Sequence, residues 1–223
     1  MSEDQSPKTK GSRVAPMVAV AAGAALTAGL LFGIYAFSGS VGNLDDTSTV
    51  SAQCPVDETM RAKLYAAAQG QVAAFVPLDR GLSVSELSFN NAQGERIALA
   101  DWSGRTVLLN LWATWCAPCR AEMPALEALN EEEGGDDFEV VPVSLDLGEA
   151  DKPKAFYQEI ELDGLRFFHD PEMGLLNALK PEGVAFGLPA TLLIDERGCV
   201  LGSLSGPAAW ESEDAKALIR AAL

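Results

Sequence analysis

One junction limits what this chain can fold into. Thr106–Trp112 reads TVLLNLW, seven residues without a charge. An unbroken run of that kind is the pattern of a strand buried on both faces of a sheet. Four residues beyond Trp112 stands Cys116, then Ala117, Pro118 and Cys119, and from Ala117 to Glu133 the apolar positions recur at helical spacing. A buried strand that enters a helix through two cysteines one turn apart puts both sulfurs at a helix N-terminus. Unpaired N–H groups and the helix dipole favour an anion there, and the anion of cysteine is its nucleophilic form.

Strand and helix patterns alternate on either side. Leu87–Asn90 and Arg96–Leu99 flank Asn91-Ala92-Gln93-Gly94 and predict a hairpin. Glu139–Leu145 predicts a second buried strand, Lys152–Ile160 a helix, Leu165–Phe168 a short strand and Glu172–Lys180 another helix. Thr191–Asp195 and Val200–Leu204 flank Glu196-Arg197-Gly198 as a second hairpin, and Ala208–Ala222 predicts a closing helix. Pro124 predicts a kink in the long helix. A βαβ unit followed by a hairpin and a last helix is an α/β sandwich.

Val14–Phe37 carries no charge over about 24 residues, enough at 1.5 Å per residue to cross a hydrocarbon core of roughly 30 Å. Lys8, Lys10 and Arg13 precede it, so the positive-inside rule keeps residues 1–13 in the cytoplasm and exports the chain after Phe37. A cleaved signal peptide is the competing reading. Its apolar core is usually shorter, and Ala36-Phe37-Ser38 is a poor cleavage site. The expected organisation is a cytoplasmic tail (1–13), a transmembrane anchor (14–37), a small polar linker (38–53), an N-terminal arm helix (54–82) and a main domain (83–223). Pro55 suits the first turn of the arm, with Met60, Leu64, Ala67, Ala68, Val72 and Phe75 at helical spacing.

Charge excludes one class of partner. Lys and Arg number 16 against 32 Asp and Glu, a net charge of −16. The first 37 residues carry +1 (three bases, two acids), so −17 falls on the exported part. Such a chain repels phosphate backbones, and no nucleic acid is expected as a partner. An exported domain meets an oxidising compartment, where the two cysteines outside the pair, Cys54 and Cys199, either pair or expose a free thiol.

The spacing divides the chemistry of the pair. Cys116, at the helix mouth, attacks a substrate disulfide. Cys119, a turn deeper, attacks Cys116 in the mixed disulfide and releases the reduced substrate. The competing readings are an inert disulfide and half a zinc site. Zinc needs two more ligands, and Cys54, Cys199 and His169 each stand alone in their segments. No metal and no cofactor are expected. Glu122, three residues after Cys119, shares its helix face and reads either as an acid–base group or as an ordinary surface Glu. The central strand offers no acid, since Asn110 is uncharged among leucines. Trp112 reads as core. Trp115, with Ala117 and Pro118, reads as an apolar docking surface, and His169 as a strand-end residue.

The segment NLWATWCAPCRAEMPAL resembles the active-site segment of the TlpA family of membrane-anchored, thioredoxin-like proteins. The similarity covers Leu87–Leu223 and includes Gly187-Leu188-Pro189-Ala190-Thr191. It implies a thioredoxin-like three-layer sandwich with an N-terminal hairpin and a central strand–helix insert over Asp151–Lys180. It also implies a cis bond at Pro189 facing the cysteines, which leaves the Leu188 backbone free to take an incoming peptide as an added strand. Relatives carry a Glu at the place of Glu122; thioredoxin's own buried acid has no counterpart. Cys54 before the arm helix, Gly198-Cys199 in the last hairpin and the tail from Gly206 through Trp210 resemble the branch of the family that serves cytochrome c oxidase assembly. There the extra pair is a structural disulfide, which implies a Cys54–Cys199 staple. Two free buried thiols and a second redox pair are the other readings.

The expectation is a single-pass inner-membrane thiol:disulfide oxidoreductase with its catalytic domain in the periplasm, acting as a protein disulfide reductase. An oxidant of the DsbA type carries a His between its cysteines, where this chain has Ala117-Pro118. The resemblance implies a Sco-type copper chaperone and cytochrome c oxidase subunit II as clients, and a transmembrane electron donor of the DsbD or CcdA kind. Its alternative is reduction of apocytochrome c in cytochrome c-type biogenesis. A copper-binding metallochaperone would need a CxxxC and a nearby His. A thiol peroxidase would need an activated cysteine with Thr and Arg neighbours at another strand–helix junction, and no such segment is visible.

Overall fold

The structure, a computed structural model, describes residues 54–223. The tail, the anchor and the linker expected before Cys54 lie outside the described residues. Among the described residues, no helix is long and apolar enough to cross a membrane.

The chain runs through α1 (Glu58–Ala67), β1 (Val76–Pro77), β2 (Ser88–Asn91), β3 (Arg96–Ala98), β4 (Thr106–Trp112), α2 (Ala117–Glu133), β5 (Phe138–Ser144), α3 (Asp151–Glu159), β6 (Phe168–His169), α4 (Gly174–Leu179), β7 (Ala190–Ile194), β8 (Val200–Ser205) and α5 (Glu213–Ala222). The strands form one sheet in the order β1-β8-β7-β4-β5-β6-β2-β3. β4 lies at its centre, parallel to β5 and antiparallel to β7, and all seven of its residues are buried.

That burial explains why β4 has no alternation in its sequence: both of its faces are covered. Leu108 and Trp112 enter one core with α1, α2, α3 and α5, while Val107, Leu109 and Leu111 enter a second with α4 and the turn around Trp102. Three layers result, and the middle one is the sheet. β4 and α2 have the bounds the sequence predicts, and α2 continues through Pro124. The insert helix α3 packs on the strand's end, with the Phe156 ring 5.4 Å and the Tyr157 ring 5.8 Å from Trp112.

The arm departs from a single helix over 54–82. Pro55 lies ahead of the first turn, and Asp57 caps α1, accepting from the Thr59 and Met60 N–H groups at 2.8 and 3.1 Å. The helix stops at Ala67, a 3₁₀ turn follows at Gly70–Val72, and the chain then adds β1 to the sheet edge. Gly70 breaks the helical spacing. Its φ is +53°, and a Cβ there would lie 2.0 Å from Asp214 Oδ2, which instead accepts from the Gln71 N–H at 3.0 Å. The expected Ala208–Ala222 helix is shorter as well. Ser212 caps α5 through the Ala215 N–H, leaving Ala208–Glu211 as a connection.

Candidate active site

β4 delivers Cys116 to the mouth of α2. Cys116 is the N-cap residue, and the Cys119 N–H donates to its Sγ at 3.3 Å. A backbone donor aimed at a sulfur at a helix N-terminus is an arrangement that favours negative charge on that sulfur. Cys116 and Cys119 form a disulfide with an S–S distance of 1.98 Å and Cα atoms 5.3 Å apart. Both cysteines lie against the core: Cys116 is 6% exposed and Cys119 fully buried. Cys116 is thus less open than a helix mouth suggests, and the exposed residues around it are Trp115, Ala117 and Pro118.

Glu122 is not a surface residue. It is 4% exposed, on the side of α2 that faces the sheet. The Asn110 amide donates to its Oε1 at 2.9 Å and the Ala208 N–H to its Oε2 at 3.2 Å. The buried Trp210 indole N–H is turned toward the same carboxyl without reaching hydrogen-bond geometry. Burial pushes the Glu122 pKa up to about 7 from an ordinary 4.5, against the opposing donors Asn110, Ala208 and Trp210. The acid that β4 lacks therefore sits on the helix, one turn beyond Cys119, and titrates near neutrality.

Pro189 follows a cis peptide bond to Leu188. Leu188 lies just outside the β4–β7 ladder, which ends at Leu111 and Ala190, and packs against both cores. Cys54 and Cys199 form the second disulfide, with Cα atoms 5.5 Å apart, so no described cysteine is free. Trp112 is fully buried, Trp115 is 63% exposed, and His169 is buried with Nε2 2.7 Å from the Asp146 carbonyl oxygen.

Several residues at the site carry no motif in the sequence. Asn110 and Thr191 are polar positions inside apolar strands, which was the one legible signal for them. Ala208 and Trp210 belong to the connection that reads as helix. Asp146 is buried just past β5 and accepts from both the Thr114 N–H, at 2.8 Å, and the Thr114 hydroxyl, so it fixes the loop entering Cys116. Leu147 and Phe186, both strongly exposed, stand at the same end of the sheet as Trp115, since β5 is parallel and β7 antiparallel to β4. Among the described residues, no cluster of three or more His, Cys, Asp or Glu could hold a metal ion.

The chain is similar to known proteins. The model of the AhpC/TSA family matches residues 81–202, more than half of the chain. The thioredoxin-like protein YneN of Bacillus subtilis (strain 168) is 32% identical over 127 residues, 56% of this chain and 71% of its own length. The thiol-disulfide oxidoreductase ResA of Bacillus cereus (strain ATCC 10987 / NRS 248) is 30% identical over 139 residues, 62% of this chain and 76% of its own length. The crystal structure of a putative thiol:disulfide interchange protein DsbE from Chlorobium tepidum superposes with a TM-score of 0.55 at 28% identity, covering 65% of this chain and 98% of the other. On this likeness and on the dithiol at the head of α2, the chain belongs to the AhpC/TSA family and is a thiol-disulfide oxidoreductase of thioredoxin-like fold.

Proposed function

We propose that the chain is a membrane-tethered reductant of disulfides in exported proteins. The observation that carries this reading is the placement of a titratable buried acid, Glu122, behind the resolving cysteine of an N-capping dithiol. In the reduced protein, Cys116 enters as thiolate, held by the helix N-terminus. Its sulfur bonds to one sulfur of the client disulfide, and the other client sulfur leaves with the electron pair. Glu122 takes the proton of Cys119: the S–H bond breaks and an O–H bond forms. The Cys119 thiolate then bonds to Cys116 Sγ and expels the first client sulfur. The client gains two electrons and, once its thiolates are protonated, two hydrogens, while the enzyme is left with the Cys116–Cys119 disulfide.

Trp115, Ala117, Pro118 and the Leu188 backbone receive the client segment in this reading. An electron donor of the DsbD or CcdA kind returns the enzyme to the dithiol, and an anchor over residues 14–37 holds it at the inner membrane with its dithiol in the periplasm. The Cys54–Cys199 bond favours the oxidase-assembly branch of the family, with a Sco-type copper chaperone and cytochrome c oxidase subunit II as clients. The two-residue spacing of Cys116 and Cys119, and a buried His169 whose Nε2 is engaged with the Asp146 carbonyl, weigh against a copper carrier on the same fold.

The test is a trap. Cys119→Ser removes the resolving sulfur, so clients accumulate as mixed disulfides on Cys116 and are identified by mass spectrometry. Copper-centre assembly proteins in the trap support the client assignment. Apocytochrome c in their place moves the chain to cytochrome c maturation. Trapping by Cys116→Ser instead would reverse the two roles.

A further inference from the structure

Asn110 is fully buried at the centre of β4, and its hydrogen bonding is lopsided. Its Nδ2 donates both hydrogens, one to Glu122 Oε1 at 2.9 Å and one to Thr191 Oγ1 at 3.0 Å. Its Oδ1, equally buried, has no partner. A buried acceptor left alone is costly. A leucine in its place would remove that cost, so an amide held there has a use that one arrangement does not show.

We propose that Asn110 is a positioning residue whose side-chain amide turns over with the proton on Glu122, offering Nδ2 to the carboxylate and Oδ1 to the carboxylic acid. The inference rests on the proposed role of Glu122 as proton acceptor of Cys119. The two ends of an amide are nearly equal in size, so a half-turn about Cβ–Cγ exchanges them with little displacement. With Glu122 ionised, the carboxylate needs donors, and Nδ2 and the Ala208 N–H supply them. With Glu122 protonated, its O–H needs an acceptor. After the half-turn Oδ1 faces it, and the Thr191 hydroxyl, which accepts from Nδ2 now, donates to Oδ1 instead. One amide atom is unpaired in each state, so the carboxyl keeps an amide partner in both, with the charge-assisted bond to the carboxylate the stronger of the two. The proton can then return to a sulfur without leaving a buried charge unpaired.

Among the described residues, no charged side chain perturbs the Glu122 carboxyl. Facing the carboxyl are Asn110 from β4 and Ala208 and Trp210 from the connection to α5, with Thr191 of β7 behind Asn110 and Cys119 one turn earlier on the same helix. Lys216 of α5 is engaged with Glu132 and Glu213. Burial and the loss or gain of these few donors therefore set the protonation of Glu122.

The experiment follows the wild-type side-chain amide of Asn110 by NMR in the reduced protein between pH 5 and pH 9, alongside the rate of client-disulfide reduction in the wild type, Asn110→Leu and Glu122→Gln. The Nδ2 hydrogens are expected to show contacts to the Thr191 side chain at pH 9, to lose them at pH 5, and to do so at the midpoint of the Glu122 carboxyl titration. In Glu122→Gln the amide is expected not to respond to pH. Asn110→Leu is expected to move the midpoint of the pH–rate profile up by about 1 pH unit, because the charge-assisted donor lost from the carboxylate outweighs the neutral acceptor lost from the acid. Contacts that persist unchanged across the titration, or an unmoved midpoint in Asn110→Leu, overturn the role of Asn110 while Glu122→Gln still flattens the profile. A Glu122→Gln profile like that of the wild type overturns the acid itself, and the inference with it. The wild-type NMR decides the question even if Asn110→Leu does not fold.

Discussion

At the scale of single residues, the chain accepts a loss of stability at Glu122. In the unfolded chain this carboxyl ionises near 4.5, and in the folded protein near 7. Between those values the folded state holds a proton that the unfolded state has shed. Stability therefore falls as pH rises from about 4.5 to about 7 and stays low above that. Glu122→Gln removes the titration. The full difference corresponds to roughly 3 kcal/mol, reduced because the new amide turns a donor toward the Ala208 N–H or Trp210. The variant is expected to be about 2 kcal/mol more stable than the wild type at pH 8 and no more stable at pH 4, read from denaturant midpoints at both. Equal stability at both pH values would mean that the carboxyl is not buried in solution. The same residue shows what a sequence conceals. The i, i+3 relation of Cys119 and Glu122 was legible from helix geometry. Which face of α2 turns inward was not, because a single Glu at that spacing fits a solvated first turn equally well. Asn110, Ala208 and Trp210 reach it from positions 12 to 88 residues away, and no local pattern encodes such a meeting.

At the scale of elements, local signals were reliable where burial is complete and weak where tertiary contacts cut a pattern short. β4 and α2 could be read to the residue, since both sides of β4 are core and Cys116 marks the cap of α2. The arm could not. Its apolar spacing continues past Ala67 to Val72 and Phe75, yet the helix ends, because Gly70 must admit Asp214 and Phe75 must lie over Gly202, where a Cβ would come within 2.4 Å of the ring. β1, only two residues long, gave no signal. The Cys54–Cys199 bond closes a loop of 145 residues and fixes the arm to the start of β8. Chain entropy sets an upper bound of about 5 kcal/mol on what such a closure contributes. The double variant Cys54→Ala/Cys199→Ala is expected to lose several kcal/mol, with a lower Tm, while reducing a model disulfide at nearly the wild-type rate below its transition, because the bond lies at the far end of the sheet from Cys116. Lost activity at unchanged Tm would make this pair a second redox centre.

At the scale of the molecule, register decides where the chain enters the domain relative to its chemistry. Val107, at the start of β4, pairs with Ile194, and Ile194 with Val200, the neighbour of Cys199. Cys54 is thus bound at the end of the sheet where β4 begins, and Cys116 lies beyond the end where β4 finishes. Seven strand residues at about 3.3 Å each put roughly 20 Å between those ends. Leu223 is exposed and lines the same cavity as Cys54, Cys199 and Gly104, so the chain also leaves the domain at the end remote from the dithiol. A reporter joined after Leu223 therefore has room to fold without covering Trp115 or the Leu188 backbone. If residues 14–37 cross the membrane with the bases before them held inside, alkaline phosphatase fused there is expected to be active in intact cells. A cytoplasm-dependent reporter at the same place is expected to be silent, and the fusion is expected to keep its disulfide reductase activity. The reverse pattern of reporters would put the dithiol in the cytoplasm, where a Cys54–Cys199 staple would not be kept oxidised, and the periplasmic clients would have to be given up with the topology.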